Sequence, residues 1–341
     1  MLGKRIIAAI VLLLGLHLAI LFAGFFAPCD PATQNRDFPY APPTRLYFMD
    51  AGGHLHVRPF IYPWVARPDS FYDYQESREH EYPLHFFVRG PQYKVAGLLP
   101  SRIHLFGVEP GAHIFLAGTD GYGRDQFSRV LYGGQISLAA GILATGISLC
   151  LGLVIGCLSG FYGRWIDDST MRLSDLFLVL PWLYLLLAVR SFLPLHISPT
   201  EAFFLLVAVI GTIGWARPAR LIRGIVLGAK TRKYVIASRG FGASDAYILR
   251  RHVLPHVSGI LSTQAAMLVP QYVIAEVTLS FLGLGLGEPT PSWGNLLANL
   301  QQYNVLVSYW WMFSPAFALV VVSLGYLNVA NIFQDRLQSG I

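Results

Sequence analysis

Charged side chains are scarce in this chain. Asp, Glu, Lys and Arg make up 13% of its 341 residues, whereas soluble domains average about 25%. Hydrophobic residues make up 54%. This balance excludes an ordinary soluble domain and indicates a protein embedded in a membrane.

Signatures of several kinds of site are also missing. The three cysteines, Cys29, Cys150 and Cys157, predict no disulfide framework. His54 and His56 share one face of a predicted strand, but no cysteine or carboxylate stands at a zinc-binding spacing, so we expect no metal site. Residues 224–231 end in Lys-Thr but lack the preceding glycine of a phosphate-binding loop. The chain is therefore expected to have no ATPase activity of its own and no bound cofactor.

Long uncharged runs are what the sequence has instead. Four of them reach the roughly 20 residues that cross a bilayer, namely 6–27, 136–160, 257–275 and 305–333. Two shorter runs, 176–189 and 202–216, complete a set of six if flanking arginines snorkel, and Pro181 is expected to kink the first of them. An even number of spans places both termini on one side.

Lys and Arg in short loops give the orientation. Residues 217–252 contain nine of them against one acid, Asp245, whereas 194–201 and 283–307 contain none. The basic loop, the 161–173 loop and both termini are therefore predicted to be cytoplasmic. The net charge of +6 follows from this asymmetry, and we expect no nucleic-acid partner.

A polar stretch between the first two spans, residues 28–130, is then extracytoplasmic. Segments 45–50 and 54–60 flank a glycine-rich turn and predict a hairpin. Two further strands are predicted around a turn at 89–92, and another at 102–108. The expected fold is an all-α polytopic membrane protein of six transmembrane helices with a β-rich extracytoplasmic insert between helices 1 and 2. The expected domains are 1–28, the insert 29–117, and a five-helix core 118–341.

Small residues recur every fourth position in the second span. They are Ala140, Ala144, Ser148, Gly152, Gly156 and Gly160. Such a face allows helix backbones to approach closely in lipid, so it predicts a tight helix contact.

The cytoplasmic stretch 234–255 has the pattern of helix, turn, helix. Gly242 can end one helix in the left-handed conformation, Ser244 can cap the next, and Pro255 is expected to limit that second helix before the fifth span. An ordinary basic connector has the same composition.

Several motifs occur in order along the chain, namely Gly118-Thr119-Asp120, Gly123-Arg124-Asp125, Ser128-Arg129, Ala275-Glu276, Leu279-Ser280-Phe281-Leu282-Gly283 and Pro289-Thr290-Pro291-Ser292-Trp293-Gly294-Asn295. Together they resemble the permeases of ABC importers for dipeptides, oligopeptides and nickel. The stretch 220–256 resembles that family's coupling loop, which docks into a cytoplasmic ATPase. The resemblance assigns the coupling role to Ala237, Ser238, Gly242, Ala243, Ser244, Asp245, Leu254 and Pro255.

What the resemblance implies is one permease half of a binding-protein-dependent importer in a bacterial-type cytoplasmic (inner) membrane. The implied partners are a second homologous permease, two ATPase subunits that bind ATP and Mg²⁺, an extracytoplasmic substrate-binding protein and membrane lipid. The sequence departs from the family pattern at Ile236, where glutamate is usual, and in its longer insert. Peptides are the expected substrate.

Glu276 is the one acid well inside an apolar span, where a charge costs roughly 2.5 to 3.5 kcal/mol. With Ser280 it is a candidate for the pathway or for a subunit interface; a buried hydrogen bond between helices is equally compatible. A proton-coupled secondary transporter using Glu276 is one alternative, although no repeated halves are found. A membrane-anchored metal-binding sensor that uses the insert's histidines is another.

Overall fold

A computed structural model describes residues 2–67, 72–95, 97, 99–191 and 198–339. The chain forms two compact units. The first consists of Met1–Leu13, Leu138–Leu279 and Val322–Ile341, and the second of Leu14–Ser137 and Ser280–Val321.

Most of the chain is helical. The helices are α1 Leu2–Leu21, α2 Ala23–Phe26, α3 Gln126–Tyr162, α4 Arg164–Val179, α5 Trp182–Ser191, α6 Pro199–Ile213, α7 Ala216–Lys230, α8 Lys233–Gly240, α9 Asp245–Ile248, α10 Leu254–Phe281, α11 Trp293–Ala298, α12 Tyr303–Ser308 and α13 Ser314–Ser339. A π-helical turn, Leu249–Val253, joins α9 to α10, and 3₁₀ turns lie at Asn299–Gln301 and Trp310–Phe313.

Three to five candidate membrane spans are present among the described residues. Three continuous stretches are long and apolar enough, namely Gln126–Tyr162, Asp245–Phe281 and Trp310–Asp335. The pairs α4 with α5 and α6 with α7 add two if each bent pair is one span, and Ile10–Leu21 of α1 is a shorter apolar helix. The runs predicted at 136–160 and 257–275 are helical throughout.

Pro181 separates α4 from α5, and the two helices meet at 93°. Leu180 has extended backbone, with φ −69° and ψ 133°, because a proline disfavours the helical conformation at the residue before it. The loop predicted at 161–173 is wrong, since α4 begins at Arg164. The charges that suggested a loop instead pair with a neighbouring helix, as Asp167 does with Arg223 of α7.

The α6 and α7 axes differ by 42°. Helix α7 occupies the first part of the basic stretch predicted as a loop. The last span is also shorter at its start than predicted, because α12 and a 3₁₀ turn precede α13. There the Trp311 indole N–H donates to the Thr119 carbonyl at 3.0 Å, within the 3₁₀ turn that leads into α13.

Among the described residues between α2 and α3, seven strands are present. They are β1 Tyr47–Met49, β2 Leu55–Ile61, β3 Trp64–Ala66, β4 Tyr74–Glu76, β5 Tyr82–Pro83, β6 His85–Val95 and β7 Leu99–Gly107. They form a three-stranded sheet in the order β1-β2-β5 and two hairpins, β3-β4 and β6-β7, with antiparallel pairing throughout. The predicted β1-β2 hairpin and the strand at 102–108 are confirmed.

The turn predicted at 89–92 is wrong. Strand β6 runs through it, and the register shifts between Arg89 and Tyr93. Pro91 cannot donate to the ladder, and at Gly90 an added Cβ would lie 2.7 Å from the His104 ring. These two residues therefore make an irregularity within one strand, where glycine and proline are tolerated.

Candidate functional site

Residues 231–256 form a folded segment of the first unit, here called the helical knob. It consists of α8, a turn, α9 and the π-helical turn that leads into α10. The two helices that flank it are α7 and α10.

Gly242 ends α8 with φ +83°, as predicted. The amide of Ala243 donates to the Ser238 carbonyl at 3.0 Å, and the amide of Gly242 donates to the Arg239 carbonyl at 3.0 Å. This pair of bonds is the Schellman arrangement, which satisfies carbonyls at a helix end and requires a left-handed residue. Any residue with a Cβ at position 242 would be strained.

Ser244 caps α9, also as predicted, by accepting from the Tyr247 amide at 3.3 Å. The prediction that Pro255 limits this helix is wrong, because the helix continues into α10. The Leu254 amide bonds to the carbonyl of Leu249, five residues back. A proline lacks a donor, and the wider π-helical turn immediately before Pro255 accommodates it without ending the helix.

A buried apolar cluster anchors the knob. Val235, Ile248 and Val253 contribute from the knob itself. They pack with Phe161 at the end of α3 and with residues of α7 and α10, namely Ile222, Val226, Ala229 and Val257. The knob is therefore fixed to three long helices by its interior side chains.

The outer surface of the knob is apolar in part. Phe241 is 92% exposed and Ile236 is 61% exposed. Beside them Arg239 and Asp245 approach to 3.3 Å as an exposed ion pair. Ala237, Ser244, Asp245, Leu254 and Pro255 are also exposed, whereas Ser238 and Ala243 are half-buried. Phe241 is not among the site residues predicted from the sequence, although an aromatic residue next to the helix-ending glycine was a signal for it.

The small-residue face of α3 lies against α7. A Cβ added to Gly152 would lie 2.7 Å from the Pro218 Cβ, and one added to Gly156 would lie 2.6 Å from the Ala219 carbonyl oxygen. At Gly160 an added Cβ would lie 2.8 Å from the Val226 Cβ. Nearer the middle of α3, Ser148 hydrogen bonds with the Tyr272 hydroxyl at 2.9 Å, and Ala144 lies beside Gly211 of α6.

Comparison with known proteins identifies the family. A family model described as the binding-protein-dependent transport system inner membrane component matches residues 152–341, which include the knob. The chain belongs to this family.

Its relatives include two permeases of Bacillus subtilis (strain 168). The dipeptide transport system permease protein DppC is 35% identical over 66% of this chain and 67% of its own length. The oligopeptide transport system permease protein OppC is 31% identical over 70% of this chain and 72% of its own length. The OppC of Haemophilus influenzae is 34% identical over 67% of this chain and 70% of its own length.

In this inner-membrane component, the two bent helix pairs line a cavity of about 240 Å³. Leu180 and Pro181 contribute from the first bend, and Gly214 and Arg217 from the second. Gln271 and Tyr272 of α10 supply further polar atoms. From the sequence, Arg217 is predicted to extend a span and to contribute to the basic stretch, but a place in a cavity is not, because the bend beside it is not visible in hydropathy.

Glu276 is fully buried within α10, in the first unit, and Ser280 is buried in the second. The Ser280 hydroxyl occupies the space that a Cβ at Gly285 would need.

A buried charge network lies in the second unit of the inner-membrane component. Arg124 donates to Asp120 at 2.7 Å and to Glu288 at 2.7 Å. Arg129, which is fully buried, donates to the same Glu288 carboxylate at 2.8 Å. The network ties the segment before α3 to the segment before α11. Both arginines stood in the motifs read from the sequence, but Glu288 did not.

Asp125 lies beside this network and caps the first turn of α3. Its carboxylate accepts from the Ser128 amide at 2.8 Å and from the Ser128 hydroxyl at 2.5 Å. Burial disfavours the ionised carboxylate and raises the pKa of Asp125 to about 6.

Among the described residues, no group of three or more His, Cys, Asp or Glu side chains is arranged to hold a metal ion. His54 and His56 both lie against the Asp50 carboxylate, at 3.2 and 3.1 Å.

Proposed function

We propose that this chain is one permease half of an ATP-driven, binding-protein-dependent peptide importer. Membership of the inner-membrane family supports the transport role, and relatives named as dipeptide and oligopeptide permeases support peptides as the substrate class. The chain performs no covalent chemistry in this proposal. A second permease completes the pathway, and two partner ATPase subunits bind ATP and Mg²⁺.

Six spans fit this role. They are α1, α3, α4 with α5, α6 with α7, α10 and α13. The excess of basic residues in 217–252 supports a cytoplasmic knob and cytoplasmic termini, with residues 28–130 outside. The extracytoplasmic insert then docks the substrate-binding protein or covers the pathway mouth. Uptake that is unchanged after deletion of residues 35–112 would remove support for this role of the insert.

The knob is the element that couples the pathway to the ATPase. The single observation that carries this assignment is that Phe241 is exposed on the knob, whereas the interior side chains of the knob pack against α3, α7 and α10. Exposed aromatic residues are typical anchors of protein interfaces. Since α7 runs from the knob cluster to the bend beside the cavity, force on the knob reaches residues that line the cavity.

Coupling of this kind shifts the bundle between two states. ATP binding closes the two ATPase subunits, which moves the docked knobs. Helix α4 moves together with α7, because the carboxylate of Asp167 is paired with the Arg223 guanidinium.

Cysteine crosslinking tests the assignment. Phe241→Cys is used rather than a change at Gly242, whose positive φ disfavours any side chain. The complex carries the co-expressed ATPase and no native cysteine. We expect a crosslink from position 241 to the ATPase that changes with nucleotide. Trp165→Cys, on an exposed residue (78%) at the start of α4, is the matched control and should crosslink weakly or not at all.

No crosslink from position 241 in an assembled complex would contradict the coupling role. Uptake that survives loss of the ATPase would favour proton coupling through the buried Glu276 instead.

A further inference from the structure

The β6-β7 hairpin differs in charge from the rest of the insert. Between His85 and Gly107 the sequence has three basic residues, Arg89, Lys94 and Arg102, and no acidic residue. All three are exposed, and none makes an ion pair with another described residue. The hairpin therefore presents an uncompensated positive charge.

Large apolar side chains are exposed on the same hairpin. Phe87 is 67% exposed, and Phe86, Leu99 and Ile103 are each about half exposed or more. Exposed apolar residues scattered singly over a protein need no explanation, but Leu99 and Ile103 are four residues apart on β7 and share one face, and grouped exposed apolar side chains indicate an interaction surface. Aromatic and aliphatic side chains interleaved with basic ones are typical of segments that lie in a membrane interface.

The hairpin is attached to the end of the first helix. The His104 ring nitrogen Nδ1 lies 2.7 Å from the carbonyl oxygen of Ala27, the residue that ends α2. The Phe25 and Phe87 rings are 6.2 Å apart. At Gly24 an added Cβ would lie 2.1 Å from the Tyr93 ring, so only glycine allows this approach. These contacts fix the middle of β6 across the end of α2.

Helix α1 sets the height of the hairpin relative to a bilayer. Within the second unit, its side chains Leu14, Leu18 and Leu21 are exposed, as lipid-facing residues are. This step rests on the proposed function, in which α1 crosses the membrane and emerges at α2. The polar interface of a bilayer is only about 5 to 8 Å thick on each side, so an element packed directly on α2 lies at that level.

We propose that the β6-β7 hairpin binds the extracytoplasmic surface of the membrane itself. The side chains of Phe87, Leu99 and Ile103 enter the interface between headgroups and acyl chains, and Arg89, Lys94 and Arg102 contact the phosphates of anionic phospholipids. Continuity with α1 and the absence of acidic residues favour lipid over a protein partner. The hairpin thereby anchors one edge of the insert to the membrane.

Spin-label accessibility tests this inference in the assembled importer. The complex, with its native cysteines replaced by alanine, is reconstituted in vesicles of phosphatidylethanolamine and phosphatidylglycerol. Labels are placed by Phe87→Cys and Ile103→Cys. The matched control is Val57→Cys, on the 99% exposed Val57 of β2 in the same insert, and Leu18→Cys reports on α1.

We expect the labels at 87 and 103 to be more accessible to oxygen than to a water-soluble nickel chelate, as at 18, and the label at 57 to show the reverse. Water-like labels at 87 and 103 with a lipid-like label at 18 would overturn the inference and leave α1 as a span. A water-like label at 18 would refute the proposed span instead. Labels at 87 and 103 that are shielded from both reagents would indicate a protein partner, and that result would also overturn the inference of membrane binding.

The charge component has its own test. Replacing Arg89, Lys94 and Arg102 by Gln should abolish any difference in the depth of the label at 103 between vesicles with and without phosphatidylglycerol. Arg58→Gln with Arg67→Gln, at exposed positions elsewhere in the insert, is the control and should preserve that difference. A wild-type hairpin whose depth does not depend on anionic lipid would refute the role of the three basic residues.

Discussion

The close contact between α3 and α7 predicts opposite outcomes for two glycines of the same helix. Gly146→Ala adds a methyl group where nothing lies within 4 Å, so the helix gains up to about 1 kcal/mol of propensity and loses nothing. Gly156→Ala adds the same group 2.6 Å from the Ala219 carbonyl oxygen and 2.9 Å from the Ile222 Cβ. Neither atom can move by side-chain rotation, so the helices must separate. Overpacking of this kind costs about 1 to 3 kcal/mol.

The free energy of unfolding should therefore be lower for Gly156→Ala than for Gly146→Ala by about 1 to 3 kcal/mol, because both variants gain helix propensity and only Gly156→Ala is overpacked. Thermal or SDS-induced unfolding of the purified complex in lipid nanodiscs measures this difference. Because Ile222 also belongs to the knob cluster, Gly156→Ala should lower ATP-driven uptake as well. Equal stability of the two variants would refute the close packing of α3 on α7.

Three further outcomes follow from the site geometry. Phe241→Ala should reduce uptake severalfold while leaving the unfolding temperature unchanged, since the ring is almost fully exposed; uptake by proteoliposomes and calorimetry measure the two, and normal uptake would exclude Phe241 from coupling. Glu288→Gln removes a charge from two buried arginines and should destabilise the protein by about 1 to 3 kcal/mol, a range discounted because Glu288 is 45% exposed; an unchanged unfolding temperature would contradict this. Asp125 has a raised pKa, so its protonated form favours the fold, and wild-type stability should fall as the pH rises from about 4 to about 6. Asp125→Asn should lose that pH dependence when unfolding is measured across the same pH range. A pH profile of the variant identical to that of the wild type would show that Asp125 does not cause it.

Hydropathy was sufficient for the long continuous helices and insufficient where charges are paired. The runs at 136–160 and 257–275 are uncharged, so their length alone predicts α3 and α10. Helix α4 carries Asp167, which pairs with Arg223 of α7. A partner distant in sequence thus removes the cost that a charge has in isolation, and no local pattern shows where that partner is.

The β6-β7 hairpin shows the same limit for turns. Gly90 and Pro91 together are a strong local turn signal, which predicts a turn there. The residue that decides otherwise is His104, whose ring fills the space beside Gly90. A glycine required for close approach and a glycine required for a turn look identical in one sequence, and only the packing of β7 separates them.

At the knob, local chemistry was predictable and exposure was not. Gly242 and Ser244 act on atoms within six residues of themselves, so their capping roles could be derived from residue type alone. Val235 and Phe241 are both apolar residues of the same short segment, yet the first is buried in the cluster and the second is 92% exposed. What distinguishes them is the position of α3 and α7, which cover one side of α8. An apolar residue that remains exposed after those helices are in place is available to a partner, and for this reason the strongest candidate contact of the knob emerged from the structure.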